Sequence, residues 1–140
     1  DLIKEQIFIA AGEKLHFKQK DIHIQGHAIE CRLNAENPEK NFMPCPGKIE
    51  FLHLPGGNGV RIDSAIYAGY QIPPNYDSMI AKIIVFGKDR DTAIDKMRSA
   101  LGEVNVEGIT TNLDYQYEII NHPVFRSGDV TTGFLEEYFK

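Results

Sequence analysis

Between Ile22 and Ala35 the apolar residues change parity, and few folds accommodate that change. Ile22 and Ile24 fall on even positions, whereas Ile29, Cys31, Leu33 and Ala35 fall on odd ones. Period-two alternation marks a strand with one face in a core and the other in solvent. A slip of one residue turns every side chain to the opposite face, so the chain must bulge or break where the parity switches. Gly26 stands at that point and tolerates either. Beyond it, Glu30, Arg32 and Asn34 are expected along the polar face of a strand.

The rest of the pattern supplies partners for that strand. Met79–Phe86 is almost continuously apolar, broken only by Lys82, and reads as a well-buried strand whose lysine extends toward an edge. Lys48–Leu54 and Val60–Ile66 are strand-like runs joined by Pro55-Gly56-Gly57-Asn58-Gly59, which predicts a hairpin because Asn-Gly tolerates positive φ. Those glycines lack the following helix and GK[ST] of a phosphate loop. Pro38, Pro44 and Pro46 mark a connection, and Pro73-Pro74 stiffens Tyr70–Tyr76.

Helices are expected at both ends. Leu2, Ile3, Gln6, Ile9 and Ala10 form a stripe at helical spacing that Gly12 ends. Ile94, Met97, Leu101 and Val104 form a second stripe over Arg90–Val104, with Asp91 and Asp95 in its early turns. Thr111 is expected to cap a helix reaching Asn121, which Pro123 stops, and Thr132 to cap a last one over Gly133–Phe139. This order predicts an α+β fold: a mainly antiparallel, bent sheet with helices packed on one face. The first helix is short for independent stability, and its stripe is expected to pack on something preceding Asp1, as in a fragment.

Composition removes several classes of function. A net charge of −5 with interspersed signs, and aromatics that form no platform beside basic residues, argue against nucleic acid. No apolar run approaches the roughly 18 residues of a membrane span. Cys31 and Cys45 are too few and wrongly spaced for a zinc site or disulfide framework, which points to free thiols in a reducing cytoplasm. His27 and Glu30 would face opposite sides of a strand, so no metal site is expected. The chain carries no GxSxG, HExxH or Walker loop.

Two residues remain as chemistry. Arg32 presents a permanently charged planar fork suited to bicarbonate, carboxylate or phosphate, and on a rigid strand it would stabilise a developing oxyanion. Its other reading is a surface arginine paired with Glu30, two residues along. Asp77, in Tyr76-Asp77-Ser78, is either a turn carboxylate or the group that orients an arginine such as Arg32.

The run Gly26-His27-Ala28-Ile29-Glu30-Cys31-Arg32-Leu33-Asn34-Ala35-Glu36 closely resembles the segment GHA(I/V)ECR(I/L)NAE of biotin carboxylases. Phe42-Met43-Pro44-Cys45-Pro46-Gly47-Lys48-Ile49, Pro55-Gly56-Gly57, Gly59-Val60-Arg61, Tyr67-Ala68-Gly69-Tyr70 and Tyr76-Asp77-Ser78-Met79 continue the resemblance in order. Arg90 with Ala93-Ile94, Gly108-Ile109 and Thr111-Asn112 extend it, so it runs over essentially the whole chain.

The resemblance implies that residues 1–15 are the tail of a preceding ATP-grasp region and residues 16–140 the C-terminal domain of a biotin carboxylase. Such an enzyme makes carboxyphosphate from bicarbonate and ATP, with magnesium, and carboxylates the ureido nitrogen of biotin held on a carrier protein. The family's ECR arginine binds bicarbonate and the ureido oxygen, and corresponds to Arg32. Arg61 matches a residue of a homodimer interface, and Thr132 and Gly133 fall at the rim of the ATP adenine. Asn37, Asn58, Thr132 and Gly133 depart from the residues usual at their positions. The glycine-rich loop, ATP lysines and magnesium carboxylates of the family would precede Asp1, so the chain alone is expected to be inactive. The implied partners are that ATP-grasp region, the biotin carboxyl carrier protein and a carboxyltransferase. The implied parent is a bacterial-type acetyl-CoA carboxylase of fatty acid synthesis. The alternative is a non-catalytic assembly module reusing the same domain.

Overall fold

A computed structural model describes residues 1–139. In chain order it contains α1 (Leu2–Ala10), β1 (His27–Asn34), β2 (Glu36–Asn37), β3 (Met43–Pro44), β4 (Phe51–His53), β5 (Val60–Ser64) and β6 (Met79–Gly87). There follow α2 (Arg90–Glu103), β7 (Asn105–Glu107), α3 (Leu113–Asn121), α4 (Pro123–Ser127) and α5 (Phe134–Tyr138).

The expected α+β class holds. β6 is the centre of an antiparallel sheet in the order β1-β6-β5. Ile80, Ala81, Ile83 and Val85 are buried, whereas Met79 and Phe86 are exposed, so the expected well-buried strand lies in the core by one face only. From β1 the odd-numbered Cys31 and Leu33 reach the same core, followed by Ala35 beyond the strand, as the alternation predicts. α2 lies over this face and contributes Ala93, Ile94, Met97, Ala100 and Leu101. Its first turn is held by Asp89, whose carboxylate accepts from the Thr92 N–H at 2.8 Å. Among the described residues no helix is long and apolar enough to cross a membrane.

Four expectations change. Ile22–Gln25 is not a strand, and Ile24 is 96% exposed. Gly26, at φ +70°, turns the chain where a Cβ would strike the Phe86 ring and the Gly87 carbonyl, so the parity switch is a break before β1. The irregularity in register sits at the other end of β1, where Leu33 faces Ala81 but Asn34 faces Met79.

The predicted hairpin is absent as well. β4 pairs with β7 (Phe51 opposite Glu107), and β5 pairs with β6. Gly57 and Gly59 take positive φ but Asn58 does not, so the Asn-Gly turn that would fold two strands together never forms. Instead the Gly59 carbonyl accepts from the Phe86 N–H at 2.8 Å, and Lys96 Nζ donates to the Asn58 carbonyl at 3.1 Å. These bonds tie the loop to β6 and α2. The single bent sheet is therefore one three-stranded and two two-stranded pairings.

Lys82 does not reach for an edge, because β6 is the central strand. The last helix begins at Phe134, and the hydroxyl that bonds its entry is Thr131, which accepts from the Gly133 N–H at 3.2 Å. Thr132 does not supply that bond.

Candidate functional site

The face of the sheet opposite α2 carries the charged groups. Antiparallel register places Arg32 opposite Lys82, and Lys82 opposite Asp63. The next row in register runs Glu30, Ile84, Arg61. Directly opposed residues share a face, as do residues two apart on one strand. Three cations and two carboxylates thus gather on one small patch.

The two arginines are bound differently. Arg61 donates to Asp63 through Nε at 2.8 Å and Nη2 at 2.8 Å, a bidentate pair that engages one whole edge of the guanidinium. That bonding holds the Asp63 carboxyl below the usual carboxylate range. Arg32 donates to Glu30 through Nε alone, at 2.9 Å. Among the described residues no other acceptor meets its side chain, which is 64% exposed. Of the five N–H donors of a guanidinium, four therefore have no acceptor among the described residues, enough to hold a planar oxyanion.

Arg32 is paired with Glu30, and its side chain is at the same time exposed. Asp77 does not join them. Its Oδ1 accepts from the Met79 N–H at 2.9 Å, so it caps the turn that leads into β6, and Glu30 is the carboxylate on Arg32. Asp77 and Lys82 instead line a groove of about 460 Å³ together with Ser64, Tyr70, Tyr76 and Met79. Thr132 is exposed, and its neighbour Thr131 borders a separate hollow of about 470 Å³ with Asn34, Glu36, Asn112, Tyr115 and Phe134.

Two residues next to Arg32 are not singled out for chemistry by the sequence. Lys82 was visible only as an interruption in an apolar run, and register alone places it beside Arg32. Asn112 stands out only beside Thr111 in the run that carries the resemblance, yet it is the buried polar residue among those described, at 5% exposure. Its side chain makes no capping bond to α3 and turns toward β1.

The donor set offers nothing for magnesium: among the described residues no three His, Cys, Asp or Glu side chains stand close enough to hold a metal ion. No step through that ion is assigned to this chain.

Comparison with known proteins gives a consistent picture. The sequence profile of the family described as biotin carboxylase C-terminal domain matches residues 30–137. The chain is 56% identical over 138 residues to biotin carboxylase 1 of Bacillus subtilis, covering 99% of this chain and 31% of that protein. It is 51% identical over 137 residues to the biotin carboxylase of Pseudomonas aeruginosa, covering 98% of this chain and 30% of that protein. The biotin carboxylase domain dimer of Hydrogenobacter thermophilus 2-oxoglutarate carboxylase was solved with MgADP, ADP and bicarbonate. It superposes with a TM-score of 0.92 at 46% identity, covering 99% of this chain and 30% of that one. The chain thus spans about a third of the length of the relatives it matches.

Proposed function

This chain belongs to the biotin carboxylase C-terminal domain family, and from that membership we propose that it supplies Arg32 to a shared site in which biotin is carboxylated with bicarbonate and ATP. The observation that carries the reading is the half-engaged guanidinium: Nε is fixed by Glu30 at 2.9 Å while the outer edge stays open. Were biotin bound there, Arg32 would hold its ureido oxygen, the atom on which negative charge would grow as the adjoining nitrogen is deprotonated by a base outside this chain. A preoriented guanidinium offsets that charge without reorganising. Biotin on a carrier protein fits this donor set, and when bound it supplies the nitrogen that accepts the carboxyl group. Arg32 binds the bicarbonate and then the ureido oxygen, and Glu30 holds its orientation.

ATP and magnesium are assigned to an ATP-grasp region outside this chain, with residues 1–15 as its tail and residues 16–140 as the C-terminal domain. The exposed Leu2, Ile3, Ile7 and Ile9 of α1 support such a covering region. Thr132 and Gly133 approach the adenine rim from this side. Arg61 is assigned to a homodimer contact; the Hydrogenobacter domain that this chain resembles was solved as a dimer. Asp77 steadies the turn beside the groove. The chain alone is inactive. Its complete form works in the cytoplasm with a biotin carboxyl carrier protein and a carboxyltransferase, and an acetyl-CoA carboxylase of fatty acid synthesis is the favoured parent.

The test is Arg32→Gln in the complete carboxylase that carries this domain. Loss of one such donor lowers carboxylation about 10²- to 10³-fold, while the KM for ATP stays near its original value. Biotin-dependent turnover near that of the unmodified enzyme would remove Arg32 from the role.

A further inference from the structure

β1 has β6 on one side only, so the backbone groups on its other side need partners. Asn112 provides them at the strand's functional end. Its Oδ1 accepts from the Asn34 N–H at 2.9 Å, and its Nδ2 donates to the Arg32 carbonyl at 3.2 Å. Its own N–H donates to the Asn34 carbonyl at 3.1 Å. One residue thus offers β1 the acceptor and donors that a neighbouring strand would have offered. The carboxamide suits this task because a planar group with an acceptor on one branch and a donor on the other mimics a peptide unit.

Resting on the role proposed for Arg32, we infer that Asn112 is a positioning residue for biotin carboxylation. It fixes the peptide that follows Arg32, and hence the direction in which the guanidinium leaves the sheet. Two restraints then converge on one side chain. Glu30 holds the guanidinium at Nε, and Asn112 holds the backbone from which the side chain springs. The bond is well protected, since Asn112 is only 5% exposed and water cannot readily replace either partner.

Asn112→Asp and Asn112→Ala, each made in the complete carboxylase, separate the parts of this clamp. The aspartate keeps an acceptor for the Asn34 N–H but sets a carboxylate oxygen against the Arg32 carbonyl. The alanine removes both bonds. Each variant is expected to lower biotin-dependent kcat by about ten- to a hundredfold, the scale of a small misplacement of a reacting group. The KM for ATP should stay within about twofold, since the Asn112 side chain bonds to the β1 backbone and not to Thr132 or Gly133 at the proposed adenine rim. In an Arg32→Gln background either substitution should change the rate by less than about twofold, because a residue acting through Arg32 has nothing left to position. Equal losses in both backgrounds would overturn the inference. So would a rise in the KM for ATP in step with the loss of kcat, or failure of both variants to fold, which would make the amide a determinant of the fold alone. Failure of the underlying role looks different: Arg32→Gln by itself would then leave turnover intact.

Discussion

Glu30 holds Arg32 by a single bond, Nε to Oε1 at 2.9 Å, between residues two apart on the same strand face. The neighbouring pair on β5 shows what a saturated arrangement looks like, with Asp63 accepting from both Nε and Nη2 of Arg61. The difference decides which arginine is available to an anion. Arg61 must give up a bidentate pair before it can take a new partner on that edge, whereas Arg32 keeps its terminal nitrogens open while its orientation is already set.

Glu30→Gln tests that division of labour. A carboxamide oxygen still accepts from Nε, so the geometry survives, but the charge that favours it is gone. Exposed pairs of this kind contribute about 0.2–1 kcal/mol, which corresponds to a loss of at most about fivefold in biotin-dependent rate. The thermal midpoint of the complete carboxylase should barely move. A drop comparable with that of Arg32→Gln would mean that Glu30 takes part in the chemistry directly.

The isolated chain should not fix bicarbonate. Among the described residues no carboxylate cluster stands ready for a metal ion, and the Gly56–Gly59 loop is tied to β6 and α2 through Phe86 and Lys96. ATP-dependent transfer of labelled bicarbonate to free biotin should therefore remain at background. Turnover by the purified chain would show that the site is complete without any ATP-grasp region.

The parts of this fold that could be read from the sequence are those with a local cause. Parity on Ile29, Cys31 and Leu33 follows directly from the pleat, and the stripe on Ile94, Met97 and Leu101 follows from the helical turn, so β1 and α2 were predictable. What escaped was pairing. The loop at 55–59 has the composition of a hairpin, but partner choice depends on β7 and β6, which lie well further along in sequence. The same holds for the site. Arg32 stands out by its motif and its alternation, whereas Lys82 comes beside it only through sheet register and Asn112 only through a hydrogen bond spanning 80 residues. Ile22 and Ile24 had the right parity for a strand but no neighbour to pair with.

Ile83 should be among the costliest core positions. It lies on the central strand, is 0% exposed, and faces Cys31 on one side and Ile62 on the other. Ile83→Ala leaves a cavity between the sheet and α2 that the neighbouring strands cannot close, with a cost of about 2–5 kcal/mol. Urea titration of the variant should show an earlier midpoint with little change in slope. A loss below about 1 kcal/mol would indicate a core loose enough to refill the space.

Cys31 gives the fold an alkaline limit. Burial, then the adjacent Glu30 carboxylate, pushes its thiol from an ordinary 9.0 up to about 12. A thiol whose folded value is raised binds its proton more tightly in the folded state. Its contribution to stability is therefore complete below pH 9 and is lost as the pH rises from 9 toward 12. Cys45, a free thiol in a half-buried position, should react first with iodoacetamide near neutral pH, and Cys31 only after unfolding. Urea midpoints measured at about pH 8 and about pH 10.5 should fall further for the unmodified chain than for Cys31→Ala, which has no proton to lose at that site. Equal declines in the two proteins would place the alkaline sensitivity on other groups, and rapid labelling of Cys31 in the folded chain would show that the core face of β1 opens to solvent.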